Sequence, residues 1–147
     1  MLNKSRQDQM ALFRDKCRQH NLSITPQRTA IYQELIKAKN HPDSELIYRK
    51  IKTIFPQISL DTVYRTLSKF AEIGLVHLVE GYGESKRYDP DTSNHHHFRC
   101  SRCNKIVDFH DENYDRLKVP KAFQKNFKVT NIKIVLEGMC DECMKKS

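Results

Sequence analysis

The side chains with the most chemistry to offer in this 147-residue chain are its five cysteines and seven histidines. Four of the cysteines form two pairs, Cys100-x-x-Cys103 and Cys140-x-x-Cys143. Each pair can turn two thiolates toward one cation, and two pairs complete a closed tetrahedral four-sulfur site of the structural zinc type. Disulfides are the weaker alternative, because residues 1–9 are polar and carry no apolar signal segment. A redox dithiol would want a βαβ setting that the pattern lacks. A zinc hydrolase would need an open coordination position with a general base beside it, and no HExxH occurs, so an enzyme is not expected. The fifth cysteine, Cys17, sits on an apolar helical stripe and reads as a small buried hydrophobe.

Three histidines, His95, His96 and His97, stand just before Cys100. On a strand, residues i and i+2 share a face, so His95 and His97 point together and His96 points away. Asp108 lies on a second expected strand whose Val107 and Phe109 take the opposite face, and a buried aspartate there needs a partner. Two imidazoles and one carboxylate make an incomplete N/O site that suits Fe(II), Mn(II) or Zn(II). A solvated polar cluster is the other reading of the same residues.

These groups have to be held by elements, and the periodicity supplies them. Met10, Phe13 and Cys17 predict a helix over residues 7–20, which Asn21 can end. Thr25-Pro26 places a capping hydroxyl before a proline at the first helical position, ahead of the stripe Ile31, Leu35 and Ala38. A third helix follows a cap at Asp43 or Ser44, with Ile47, Tyr48, Ile51, Ile54 and Phe55 on its apolar face and Pro56 ending it. Ser59 opens a fourth, carrying Val63, Leu67, Phe70 and Ala71 inward, with Gly74 as the left-handed residue after it. The short connection between these last two helices reads as helix-turn-helix, with Ser59, Thr62, Tyr64 and Arg65 on the outer face of the second. The stretch 75–80, the glycine turn 81–85 and Lys86-Arg87-Tyr88 then predict a hairpin. A hairpin placed there is the wing of a winged-helix DNA reader, with Lys86 and Arg87 available to phosphate.

The polar run 89–94 is the expected hinge, giving a DNA-binding domain over 1–88 and a smaller domain over 95–147. In that second part Ile106–Phe109 and Val129–Leu136 read as strands, and Glu112–Lys125 as helix interrupted by Pro120. The fold class is thus α+β, a winged helix-turn-helix followed by a small α/β dimerisation domain. A unit of that size with one short sheet seldom stands alone, and a metal staple or a second subunit is expected.

Charge divides the same way. Residues 1–69 hold 13 Lys+Arg against six Asp+Glu, whereas 70–147 hold 13 against 12, out of 26 and 18 in all. A basic first half fits a polyanion partner, here double-stranded DNA. No apolar run approaches a membrane span, so a soluble, cytoplasmic protein is expected.

Taken as a set, Ile24-Thr25-Pro26-Gln27-Arg28, His41-Pro42, Thr62-Val63-Tyr64-Arg65-Thr66-Leu67, Arg87-Tyr88-Asp89, His95-x-His97 before the first cysteine pair, Ile106-Val107-Asp108-Phe109 and the second pair resemble the ferric uptake regulator (Fur) superfamily over nearly the whole chain. The resemblance implies a homodimeric repressor on a palindromic operator, with a structural zinc and a regulatory Fe(II) or Mn(II) held by His41, Asp89, His95, His97 and Asp108. Aspartate at position 108 resembles the peroxide-sensing PerR branch, where iron-sensing Fur proteins usually place glutamate. That branch implies hydrogen peroxide sensing by oxidation of His41 or His95. Arg65 departs from the best-known PerR type, which has asparagine there, and keeps an iron- or zinc-responsive repressor of metal uptake in view. Asn131, Ile132 and Lys133 offer no histidine for the additional metal site of many Fur proteins. Outside the class, a metal-handling protein that does not bind DNA is the remaining alternative.

Overall fold

A computed structural model describes residues 4–79 and 85–146. The glycine turn expected at 81–85 lies outside the described residues except for Ser85. The chain divides into two compact units, Met1–Thr92 and Ser93–Ser147.

The first unit contains four helices and a hairpin. Helices α1 (Arg6–Gln19), α2 (Pro26–Lys37), α3 (Ser44–Lys52) and α4 (Leu60–Glu72) each start on a side-chain cap, from Ser5, Thr25, Asp43 and Ser59 respectively. Asn21 at φ 53° and Gly74 at φ 74° take the left-handed conformations needed to turn the chain after α1 and α4. Phe13, Tyr32 and Phe70 meet at the centre. The first two rings stack at 5.1 Å, and Phe70 stands edge-on to both. Ile47, Ile51, Val63 and Leu67 continue this core between α3 and α4, the helix-turn-helix pair.

The apolar face expected for the third helix is cut short, because α3 stops at Lys52 and Ile54 is 54% exposed. Phe55 precedes Pro56, a position biased away from helical angles, so the chain tightens there with Ile54 and Phe55 both donating to the Ile51 carbonyl. Strands β1 (His77–Val79) and β2 (Arg87–Asp89) then pair antiparallel as the hairpin. The loop before α3 joins β2 as well, through an Asp43–Arg87 bridge and a hydrogen bond from Tyr88 N–H to the Pro42 carbonyl at 3.0 Å.

The second unit is a three-stranded sheet in the order β4-β3-β5, formed by β3 (His96–Cys100), β4 (Ile106–Phe109) and β5 (Val135–Gly138). β3 runs antiparallel to β4, with His97 opposite Asp108, and parallel to β5, with His97 opposite Val135. The strand expected from Val129 begins only at Val135. The Asn131 side chain accepts a hydrogen bond from the Ile132 N–H and draws that backbone into a local turn in place of the ladder. The helix expected over Glu112–Lys125 reduces to α5 (Glu112–Asp115) and one 3-10 turn, Lys121–Phe123. Pro120 lacks the N–H that a continuous helix would need and biases Val119 toward extended angles. A last short helix, α6 (Asp141–Lys145), closes the chain.

Candidate functional site

The four cysteines converge at one end of the second sheet. Cys100 closes β3, Cys103 follows in the turn to β4, Cys140 precedes α6 and Cys143 lies on it. Asn104, at φ 62°, lets the first pair double back, while the Cys100 N–H donates to the Lys105 carbonyl and the Asn104 N–H to that of Cys100. Every sulfur lies within 4.8 Å of the others, and Cys103 Sγ to Cys140 Sγ is 3.8 Å. A tetrahedron with Zn–S bonds of about 2.3 Å has edges of about 3.8 Å, so this spacing already suits the ion. Backbone N–H groups of Cys103 and Cys140 aimed at Cys100 lower its thiol to about 6, whereas burial and the neighbouring thiols push Cys143 up to about 12. The cluster therefore offers a thiolate readily and surrenders its last proton only to a cation. Cys100, Cys140 and Cys143, with Phe98 against them, form the buried apolar cluster of this unit. The cluster fits a structural zinc site that also serves as the core.

One sheet edge away, His95 and His97 share a face of the β3 segment as their spacing requires. His97 Nε2 is 3.2 Å and His95 Nε2 3.7 Å from the same carboxylate oxygen, Oδ1 of Asp108. His95 Nδ1 lies 2.8 Å from the Ser93 carbonyl. Assigning the proton to Nδ1 satisfies that contact and turns the Nε2 lone pair toward Asp108, the tautomer a metal ligand requires. His96 faces the other way and is fully buried. Its Nε2–H donates to Asp115 Oδ1 at 2.7 Å, and its Nδ1 accepts from the Ile134 N–H at 3.2 Å. Asn94 Nδ2 adds a hydrogen bond to the same oxygen of Asp115. The strand alternation separates His96 from His95 and His97, but nothing local in the sequence marks Asp115 as its partner or Asn94 as a second donor to Asp115.

In the first unit, His41 and Asp89 form a second pair. His41 precedes α3 in the Asn40–Asp43 loop, Asp89 is the last residue of β2, and Nε2 to Oδ2 is 3.1 Å with both side chains almost wholly buried. Asp89 thus belongs to a strand, although the polar run beginning there reads as a hinge. An imidazole and a carboxylate buried together are two donors of the N/O kind, and His95, His97 and Asp108 are three more.

The residues expected to face DNA all lie on the first unit. Ser59 spends its hydroxyl on the α4 cap, accepting from the Thr62 N–H at 3.1 Å, with the Thr62 hydroxyl 2.9 Å away. Tyr64 and Arg65 are exposed on α4. Lys86 Nζ reaches Tyr64 Oη at 3.1 Å and tethers the hairpin to that helix. The pairing lowers the Tyr64 hydroxyl and raises the Lys86 ammonium from their ordinary values. Arg65 lies along α4 with its guanidinium 2.7 Å from Asp61. Arg87, also expected at phosphate, has its guanidinium engaged with the carbonyl oxygens of Asn40 and His41.

Residues 19–137 match the family model described as the ferric uptake regulator family. The peroxide operon regulator of Bacillus subtilis (strain 168) is 41% identical over 123 residues, covering 84% of this chain and 85% of that protein. A peroxide-responsive repressor PerR of Staphylococcus epidermidis is 38% identical over 126 residues, covering 86% and 84%. Among solved structures, Fur of Helicobacter pylori, described as having three functional metal-binding sites, aligns at a TM-score of 0.77 and 22% identity over 96% of this chain and 95% of that one, a likeness of fold. PerR from Streptococcus pyogenes aligns at 0.51 and 29% identity over 89% and 90%.

Proposed function

Because the chain belongs to the ferric uptake regulator family, we propose that it is a metal-dependent, peroxide-responsive repressor that binds a palindromic operator as a homodimer. It regulates transcription and has no enzymatic role of its own. The observation that carries the reading is the donor set His95, His97 and Asp108 on β3 and β4, with His41 and Asp89 as a second buried pair. One Fe(II) or Mn(II) drawing on all five would favour one arrangement of the two units, and only a cation with a better grip on that arrangement can shift the population toward it. The zinc at Cys100, Cys103, Cys140 and Cys143 is structural. Fe(II) held there would supply the electrons that reduce hydrogen peroxide, and His41 and His95 would be the imidazoles that take up oxygen.

Dimerisation is supported by the second unit's surface, where Phe127, Met144, Leu117, Phe123 and Met139 are between 45% and 60% exposed around a very small core. So many exposed large apolar side chains on so small a unit favour cover by a partner. Two copies of α4 would then lie in successive major grooves, with Tyr64 and Arg65 toward base edges and Lys86 toward phosphate. The hinge over 89–94 belongs to the same proposal. No helix among the described residues is long and apolar enough to cross a membrane, in keeping with a repressor of the cytoplasm.

The test is mass spectrometry of the iron-loaded protein after dilute peroxide, run beside operator binding. An added oxygen on the peptides carrying His41 or His95, together with release of DNA, is expected. No added oxygen with DNA affinity intact overturns the peroxide reading and leaves an iron- or zinc-responsive repressor of metal uptake, the reading that Arg65 favours. Operator affinity unchanged by replacing both Tyr64 and Arg65 would instead favour a metal-handling protein outside the DNA-binding class.

A further inference from the structure

Arg87 stands in the wing where a phosphate contact is expected, yet its side chain turns to the protein. Nε donates to the His41 carbonyl, and Nη2 lies 3.3 Å from that of Asn40. The side chain therefore forks across two successive carbonyls of the loop that carries His41. On β2, residues i and i+2 share a face, so Arg87 and Asp89 project together while Tyr88 projects into the core, where it is fully buried. Both members of that face end on one residue. Asp89 approaches the His41 imidazole at 3.1 Å and Arg87 holds the His41 backbone. The Pro42 carbonyl receives the Tyr88 N–H, and Asp43 bridges to Arg87, so the whole segment from Asn40 to Asp43 is laid against β2.

We propose that Arg87 is a positioning residue for the regulatory cation, a fork that fixes His41 against Asp89, and not a DNA contact. The proposal rests on the reading of His41 and Asp89 as ligands. A loop preceding a helix would otherwise leave the imidazole a range of positions, and a ligand held in place loses less freedom when the cation arrives. The neighbouring residue in the chain is Lys86, tied to Tyr64 on α4. Two consecutive residues thus face opposite tasks, Lys86 toward the DNA-reading helix and Arg87 toward the ligand loop. A shift of the His41 loop would reach the wing through one peptide bond.

The experiment uses the full-length, zinc-loaded chain with Mn(II), a redox-quiet probe, and the variants Arg87→Gln, Arg87→Lys and Lys86→Gln. Mn(II) affinity is read by titration, and DNA affinity on the protein's own promoter fragment is read against salt at saturating Mn(II). Loss of a group that orients a ligand typically weakens metal binding by about 10–100-fold. Arg87→Gln and Arg87→Lys are both expected to fall in that range, because a lysine keeps the charge and loses the fork. The salt slope of Arg87→Gln at saturating Mn(II) stays at its original value, and Lys86→Gln shows the reverse, a slope smaller by about 1.8, one phosphate contact from each subunit of the dimer, with Mn(II) affinity unchanged. Should Arg87→Gln fail to fold, as read by zinc content and melting, Arg87→Lys alone carries the comparison. Mn(II) affinity within twofold of the original in the Arg87 variants overturns the proposal, and a slope reduced by about 1.8 would make Arg87 a phosphate contact in each subunit. His41→Ala separates this failure from that of the underlying reading. If His41→Ala also leaves Mn(II) affinity intact, the ligand assignment falls and the proposal with it; if only His41→Ala weakens binding, the fork alone is wrong.

Discussion

Removing the zinc should unfold the second unit and leave the first standing. The buried apolar cluster of residues 93–147 is three cysteines with one phenylalanine against them, and no second cluster appears among the described residues of that unit. Full burial of a large apolar side chain contributes about 1.5–3 kcal/mol, so Phe98 cannot order a three-stranded sheet, whereas zinc binding in small domains contributes on the order of 10 kcal/mol. The first unit has its own core of fifteen buried residues and no cysteine pair. Helix content makes the outcome readable. Helices α1, α2, α3 and α4 hold 14, 12, 9 and 13 residues, against 4 and 5 in α5 and α6. Chelation of the zinc, or Cys143→Ala, should therefore remove only about one-sixth of the helical circular dichroism while the second unit becomes sensitive to protease. Amide exchange followed by mass spectrometry resolves the two halves directly. Protection lost across β3, β4 and β5 but kept in α1–α4 is the expected pattern. Unchanged protection of the sheet in a chain shown to hold no zinc would refute the reasoning, and so would loss of both units together.

Three further outcomes follow from single side chains. Arg65→Asn should change preference at one base pair of each half-site by about 1–3 kcal/mol, read by comparing operators mutated at each position, because the guanine contact proposed for Arg65 would be lost. Tyr32 is fully buried and its Oη has no hydrogen-bond partner among the described residues, so Tyr32→Phe should raise stability by about 1 kcal/mol in a denaturant melt. Burial also pushes the Tyr32 hydroxyl up to about 12 from an ordinary 10, so the folded state holds its proton more tightly than the unfolded. Stability from this group is complete below pH 10 and declines as pH rises toward 12, and the Phe variant should lose that part of the alkaline decline. Asp115→Ala strips the buried His96 N–H of its acceptor and should lower the stability of the second unit by about 1–3 kcal/mol, with zinc content unchanged.

How far the sequence could be read depended on the range of the interaction that fixed each element. The starts of α2, α3 and α4 were legible because each is set within four residues: Thr25 accepts from the Arg28 N–H, Asp43 from Leu46 and Ser59 from Thr62. The opposed faces of His95 and His96 were legible from a strand's period of two. Where a distant group decides, the sequence is silent. Residues 129–134 have the apolar alternation of a strand, yet Asn131 holds the Ile132 N–H, and Ile134 meets β3 with its carbonyl accepting from the His97 N–H and its own N–H donating to the His96 side chain. Asp115 lies 19 residues from His96, and no local pattern links them. Arg87 shows the same limit on function, since an arginine beside a lysine in a wing reads as a pair of phosphate contacts until the loop 46 residues earlier is folded against it.

A strand that sends alternate residues to different tasks explains why so short a chain can carry a reader, a staple and a sensor. On β3 the face of His97 meets Asp108 while His96, one residue away, anchors α5 and the segment before β5, so the side chain proposed as a ligand inherits rigidity from a neighbour that faces the other way. On β2 the face of Arg87 and Asp89 serves His41 while Tyr88 fills the core. In both strands the buried alternate residue supplies order that five ligands on mobile loops would lack. The arrangement also sets where substitutions should matter most. Changes at His96 or Tyr88 alter none of the proposed ligands or DNA contacts, yet these residues adjoin the proposed ligands on β3 and β2, so the changes should weaken Mn(II) binding more than an equal loss of stability produced elsewhere in the core, for example by Ile47→Val. Equal Mn(II) affinities in variants matched for melting temperature would show that the strands act only as scaffold.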